Sequence, residues 1–227
     1  MNPPRPLRAG FLGRVPYREA FDLQLTLRDA LKRGDGPEHL LLLEHPHVYT
    51  LGRNATETDL LAAPEWLKAK GVVIEQTDRG GQITYHGPGQ LVGYPIMNLS
   101  PDRRDIRRYV RDLAEVIVAT LADYGLEARA GEEQALIGVW VGESKVASIG
   151  VHLSRWLTTH GFALNVATDL SFFAGIVPCG LQGVRMASIA SLTGQSPAVP
   201  EVADRLARHF ARRFERELAP LSPNHPR

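Results

Sequence analysis

Three β-like runs follow one another in the second half of the chain, Ala135–Val141, Lys145–Leu153 and Thr159–Val166, with Gly142-Glu143-Ser144 as a tight turn between the first two. Such short links leave no room for a crossover helix, so the three strands read as antiparallel. Elsewhere helices and strands mix without strict βαβ alternation. Helical spacing of Tyr17, Phe21, Leu25, Leu27 and Leu31 over residues 17–33 ends at Gly34. Leu40–Glu44 reads as a buried strand. Pro64–Lys70 reads as a short helix, with proline at its start and Gly71 past its end. Val72–Glu75, Gln82–His86 and Leu91–Asn98 read as strands, with Pro95 at an edge or bulge. Ser100 and Pro101 read as the cap and first turn of a helix that runs to about Tyr124 and stops at Gly125. A final helix, about 199–218, carries Val202, Leu206, Phe210, Phe214 and Leu218 as an apolar stripe. The expectation is an α+β fold: a mixed, largely antiparallel sheet packed with helices, in one domain over 1–227. Its core spans about 15–195, and the last helix packs on it.

The segment Arg79-Gly80-Gly81-Gln82-Ile83-Thr84-Tyr85-His86-Gly87-Pro88-Gly89-Gln90 is not needed merely to fold. Glycine allows close backbone approach to a ligand, and Arg79 and His86 add donors and a titratable ring, so the segment reads as a substrate cradle. It is not a dinucleotide fingerprint: Val92 stands where the third glycine belongs, and a strand rather than a helix follows. Nor does any Gly-Lys-Ser/Thr close it as a phosphate loop. A turn-rich hairpin explains Gly87 and Gly89, but not Arg79-Gly80-Gly81 together with His86.

The net charge of +1 argues against general nucleic-acid binding. No apolar run approaches the roughly 20 residues that span a bilayer. Met1 to Leu12 holds three prolines and no apolar core, unlike a signal peptide. A single cysteine, Cys179, excludes internal disulfides and suits a reducing, cytoplasmic setting. Lone cysteines are commonly small buried hydrophobes. Cys179, however, lies between Pro178 and Gly180 in a loop, where a thiol of pKa about 8.5 needs a nearby cation or base to act as a nucleophile. Of 26 basic residues only Lys32, Lys68, Lys70 and Lys145 are lysine. Lys145 opens a strand and is either solvated or used for amine chemistry that arginine cannot perform. His45, His47, His86, His152 and His160 with Cys179 supply ligand types but no metal-site spacing, and no metal is expected. Gly142-Glu143-Ser144-Lys145-Val146 fails the nucleophile-elbow pattern at its last position. Arg103, Arg104, Arg107, Arg108 and Arg111 read as a solvated helix face, to which an acidic protein can also dock.

With these residues in view, the sequence resembles the lipoyl(octanoyl) transferases, or lipoate-protein ligase B family. The likeness lies in 79–95, in Glu44-His45-Pro46 with Val48-Tyr49-Thr50-Leu51-Gly52-Arg53, and in Gly138-Val139-Trp140-Val141. It continues in Lys145-Val146-Ala147-Ser148-Ile149-Gly150-Val151 and in His160-Gly161-Phe162-Ala163-Leu164-Asn165-Val166. It closes with Ile176-Val177-Pro178-Cys179-Gly180. The resemblance covers about 15–195. It implies the fold of biotin and lipoate ligase catalytic domains. It also implies transfer of octanoyl from octanoyl-acyl carrier protein to a lysine of lipoyl domains: those of 2-oxoacid dehydrogenase E2 subunits and of the glycine-cleavage H protein. No ATP or metal is implied, and the phosphopantetheine arm comes with the substrate. Cys179 matches the acyl-thioester nucleophile and Lys145 the lysine that lowers its pKa. Arg79, Gly80, Gly81, Gln82, Ile83, Thr84, Tyr85 and His86 match one substrate-binding segment. Ser148, Ile149 and Gly150 match a second, and Gly161, Phe162 and Ala163 a third. In this picture Gly80, Gly81, Gly150 and Gly161 keep an acyl slot open, Ile149 and Phe162 wall it, and His86 orients a group rather than acting as base. After Cys179-Gly180 the family often reads Gly-x-Val-Thr-Ser-Leu; here Gly183-Val184-Arg185-Met186-Ala187-Ser188-Ile189 stands instead. Two alternatives of different kinds are an ATP-dependent lipoate or biotin-type ligase and a catalytically silent acyl-carrier-binding module.

Overall fold

Leu40, Leu41, Leu42 and Leu43 are all buried, but alternately: Leu40 and Leu42 face one apolar cluster, Leu41 and Leu43 another. A strand with both faces covered carries such an unbroken apolar run, and the molecule is layered around it. The computed structural model describes residues 4–100, 102–131, 137–177 and 184–221. In chain order the elements are β1 (Arg5–Arg14), α1 (Tyr17–Arg33), β2 (Glu38–Glu44), β3 (Val48–Leu51), α2 (Pro64–Lys70), β4 (Val73–Gln76), β5 (Ile83–His86) and β6 (Gln90–Ile96). Then come α3 (Ile106–Ala122), β7 (Ala128–Ala130), β8 (Gly138–Val141), β9 (Ser144–Ser154), β10 (Leu157–Asn165), β11 (Arg185–Met186), α4 (Ile189–Thr193), α5 (Val199–Phe214) and β12 (Arg216–Pro220).

Among the described residues, the main sheet runs β12-β1-β2-β6-β10-β9-β8-β7, and β11 adds to β9. The pairs from β2 to β7 are antiparallel, while β12/β1, β1/β2 and β11/β9 are parallel. A small second sheet, β4-β3-β5, carries the glycine-rich segment. One face of the main sheet packs on α3 and α5 through Leu113, Ile117, Leu206 and Phe210. The other packs on α1 through Ala20 with Val92, Tyr94 and Ala163. The fold is thus α+β with a mostly antiparallel sheet, as the strand pattern requires. No helix among the described residues is long and apolar enough to cross a membrane.

Several boundaries differ from the sequence expectation. The helix after Ser100 begins later, at Ile106, because Asp105 caps it: its carboxylate accepts from the Arg108 N–H at 3.0 Å. The Ser100 hydroxyl instead accepts from the Arg104 guanidinium. Arg103 therefore precedes the helix and leaves the exposed basic face; it is buried against Asp112 and also donates to the Arg213 carbonyl. The last helix stops at Phe214, not 218. Glu215 turns left-handed (φ 54°), and 216–220 pair with β1, where Arg216 meets buried Glu38 at 2.5 Å. Leu218 is consequently exposed rather than part of the stripe. Pro95 is not on an edge. It lies in central β6, at the place where the ladder to β10 is interrupted: His160 opposite it takes φ 57° and sends its N–H out to Gln24. The Pro95 carbonyl accepts from the Thr158 hydroxyl instead.

Candidate active site

The glycine-rich segment, β9 and β10 meet in one cleft. Its cavity volume is about 60 Å³, so the cleft is narrow. Its walls are Arg79, Gly80, Gly81, Gln82, Ile83, Thr84 and His86 from the first segment, Ser148, Ile149 and Gly150 from β9, and Gly161, Phe162 and Ala163 from β10. Tyr17, Tyr94 and His160 complete it. Three blocks far apart in sequence thus converge. Tyr85 does not join them: alternation along β5 turns it away, its hydroxyl lies 2.8 Å from His47 Nδ1, and its ring stacks on Phe172. Two of the glycines that line the cleft have a packing duty as well. A Cβ on Gly161 would stand 2.1 Å from the Gly93 carbonyl oxygen, and one on Gly150 would stand 3.0 Å from that of Gly80. These two glycines let β6 and the 79–81 loop approach their neighbours; the contact they protect is backbone to backbone.

Arg79 is buried, and its guanidinium donates to the Thr50 carbonyl at 2.5 Å and to the Thr50 hydroxyl at 2.8 Å. This bond set ties the mouth of the glycine loop to β3. His86 Nδ1 lies 2.8 Å from Gln90 Oε1. Burial, reinforced by His45 and Arg79, pushes the His86 pKa well below its ordinary value, so the ring is neutral near pH 7. His45 is likewise held down by burial, to about 4. It donates through Nδ1 to the Val15 carbonyl at 2.6 Å, which leaves Nε2 to accept from Tyr94 at 2.8 Å. His160 Nε2 sits 2.6 Å from Asp78, and burial outweighs that partner and lowers His160 to about 4. Burial raises the Asp78 carboxyl, yet the His160 hydrogen bond and the nearby histidines leave it below the ordinary carboxylate value. Burial of Tyr17 raises its hydroxyl pKa, so it stays protonated.

Lys145 is 1% exposed. It stands on β9 just before the Ser148–Gly150 block, with Nζ 5.6 Å from the Trp140 ring centre. Gly138 on β8, paired with Ser148, makes room for it: a Cβ there would lie 2.6 Å from Lys145 Cε. So Lys145 is not the solvated strand-end residue that its sequence context allows. Cys179 falls outside the described residues, as does the 178–183 stretch that carries it. The chain before that stretch is pinned by Val177 donating to the Asp59 carbonyl at 2.8 Å. The chain after it is pinned by β11, which pairs Arg185 with Ser144 and Met186 with Lys145.

Sequence reading missed Tyr17 and Asp78, and took Tyr94 only as part of a motif. Tyr17 lies at the helical spacing of α1 and looks like any core aromatic. No group of three His, Cys, Asp or Glu side chains among the described residues is arranged to hold a metal ion.

Comparison with known proteins sets this site in context. Residues 16–211 match the lipoyl protein ligase A/B catalytic domain. The octanoyltransferase of Solibacter usitatus is 54% identical over 209 residues, covering 92% of this chain and 93% of that one. The octanoyltransferase of Chloroflexus aurantiacus is 48% identical over 217 residues, covering 94% and 96%. Among solved structures, the bi-partite lipoate protein ligase of Thermoplasma acidophilum superposes with a TM-score of 0.74 at 20% identity, over 97% of this chain and 89% of that one. The biotin protein ligase of Aquifex aeolicus, in complex with biotin and ATP, gives 0.56 at 14% identity, over 92% and 70%. At those identities the likeness speaks for the fold alone. With a family match over most of its length and two relatives near half identity, the chain belongs to the lipoyl protein ligase A/B catalytic-domain family and, within it, to the octanoyltransferases.

Proposed function

We propose that the chain moves an octanoyl group from octanoyl-acyl carrier protein to a lysine of lipoyl domains, through a thioester on Cys179. These domains are those of 2-oxoacid dehydrogenase E2 subunits and the glycine-cleavage H protein, and the step is the first of protein lipoylation in the cytoplasm. Lys145 takes the Cys179 thiol proton. The thiolate attacks the octanoyl thioester carbonyl, and the tetrahedral intermediate collapses with loss of the phosphopantetheine thiolate, which recovers the proton from the Lys145 ammonium. The neutral amine of the acceptor lysine then attacks the acyl-enzyme. An amide forms, the Cys179 thiolate leaves, and the proton lost by the amine returns to the Cys179–Lys145 pair. Thioester exchange is near thermoneutral and amide formation is downhill, so neither ATP nor a metal is required. Backbone N–H groups of the glycine-rich segments are suited to the oxyanion of each intermediate.

The observation that carries this reading is the burial of Lys145 on β9, three residues before cleft-lining Ser148, with the chain that follows Cys179 paired to it at Met186. A lysine amine, unlike a guanidinium, can give up and retake a proton. The test is intact mass after mixing the protein with octanoyl-acyl carrier protein without ATP. The expected result is one octanoyl adduct, absent in Cys179→Ser. Amide formation on a lipoyl domain only when ATP is added, with no adduct, would favour an ATP-dependent ligase. Binding with neither product would leave an acyl-carrier-binding module.

A further inference from the structure

A line of buried polar side chains runs from the cleft to the strand that bears Lys145. His86 Nδ1 lies 2.8 Å from Gln90 Oε1. Gln90 Nε2 donates to the Tyr85 carbonyl at 3.1 Å and to Asn165 Oδ1 at 2.9 Å. Asn165 Nδ2 donates to the Ala187 carbonyl at 3.0 Å. The Ala187 N–H in turn donates to the Lys145 carbonyl at 2.9 Å. Gln90 and Asn165 are 1% and 2% exposed, so both are shielded from bulk water.

The direction of the line follows from chemistry. A backbone carbonyl only accepts. Tyr85 O therefore fixes the Gln90 amide with its nitrogen toward that carbonyl, and Ala187 O fixes Asn165 in the same way. With both Gln90 hydrogens committed, Gln90 Oε1 faces His86 and must receive a hydrogen. His86 is thereby the Nδ1–H tautomer, with Nε2 bare. On that side the nearest hydroxyl is Thr50 Oγ1 at 3.4 Å, which itself accepts from Arg79. The donor order is thus consistent from Arg79 to Ala187.

We propose that Gln90 and Asn165 are positioning residues for the transfer reaction: a one-way hydrogen-bonded strap that fixes His86 as a hydrogen-bond acceptor at the cleft and holds Arg185–Ala187 against Lys145. His86 Nε2 then only accepts, from the Thr50 hydroxyl 3.4 Å away or from a substrate N–H or O–H that displaces it, and does not donate to a carbonyl oxygen. The part concerning Lys145 rests on the reading of Lys145 given above; the part concerning His86 does not.

The experiment has two arms that fail separately. In the first, side-chain ¹⁵N NMR of the histidine-labelled wild-type protein at pH 7 reads the His86 tautomer. Nδ1 protonated and Nε2 bare is expected, and an Nε2–H ring or an imidazolium overturns the strap. In the second, Asn165→Asp keeps an acceptor for Gln90 but, when ionised, cannot donate to Ala187 O. Asn165→Ser, smaller and uncharged, removes the amide donor without adding charge. In whichever variant retains the wild-type melting temperature, octanoyl loading is expected to slow on the order of a hundredfold at saturating octanoyl-acyl carrier protein, with KM unchanged. Wild-type loading, or a rise in KM alone, overturns the positioning role. A wild-type enzyme that forms no adduct without ATP refutes the thioester reading instead, and leaves the His86 tautomer to decide the strap. If neither variant folds, the same NMR measurement decides.

Discussion

Lys145 shows how one residue position couples packing to chemistry. Its stem fills the space left by the missing Gly138 side chain, and Trp140 flanks its Nζ. A guanidinium is larger and planar, and stays charged at any working pH. Lys145→Arg is therefore expected to lower the octanoyl-transfer rate on the order of 10²–10⁴-fold, the span usually lost with a general base. Steady-state transfer to a lipoyl domain measures it, with melting temperature as the control for folding. Near-normal rates would show that only positive charge is needed at this position.

At the scale of elements, the caps decide where helices begin. Asp105→Ala is expected to cost about 1 kcal/mol of unfolding free energy, because the Arg108 N–H loses its side-chain acceptor. Ser100→Ala should change stability by less than about 0.5 kcal/mol, because the Ser100 hydroxyl serves only an exposed arginine. Urea unfolding of the two variants compares them directly; equal losses would refute the assignment. The same contrast explains what could be read from sequence. Helix α1 and helix α2 were legible to the residue, since Gly34 and Gly71 mark their ends with left-handed backbone. The end of α5 was not. Leu218 continues the i,i+4 stripe, and the break falls on Glu215, a residue with no bias toward left-handed backbone. Strand β1 hid behind Pro6 and its two glycines, although Leu7, Ala9 and Phe11 alternate inward. In the cleft, the glycine-rich blocks announced themselves through composition. Tyr17 and Asp78 did not, because each takes its role from a neighbour more than 70 positions away, such as His160.

For the molecule as a whole, His45, His86 and His160 set an acid limit. His45 and His160 are lowered by burial to about 4, and His86 is lowered as well. Unfolding returns each to about 6.5. Below that pH the unfolded chain binds protons that the native state refuses, so stability falls as pH drops from about 6.5 toward 4. The slope approaches about 1.4 kcal/mol per pH unit for each histidine. Asp78, whose native value lies below the ordinary carboxylate range, contributes stability that is lost only at still lower pH. Melting temperatures from pH 7 to 4.5 test this window, and a flat profile across it would contradict neutral burial of these rings. The main sheet carries a further consequence at its β12 edge, where β1 pairs with β12 from Arg5↔Arg216 to Ala9↔Pro220. A ribosome releases β1 early and β12 only 172 codons (216 − 44) after β2 has emerged. Throughout that interval β1 offers a bare row of backbone donors and acceptors, the kind of template that recruits foreign strands. Chains cut short before residue 216 keep that row exposed permanently, so aggregation of truncated products is built into the order in which this sheet closes.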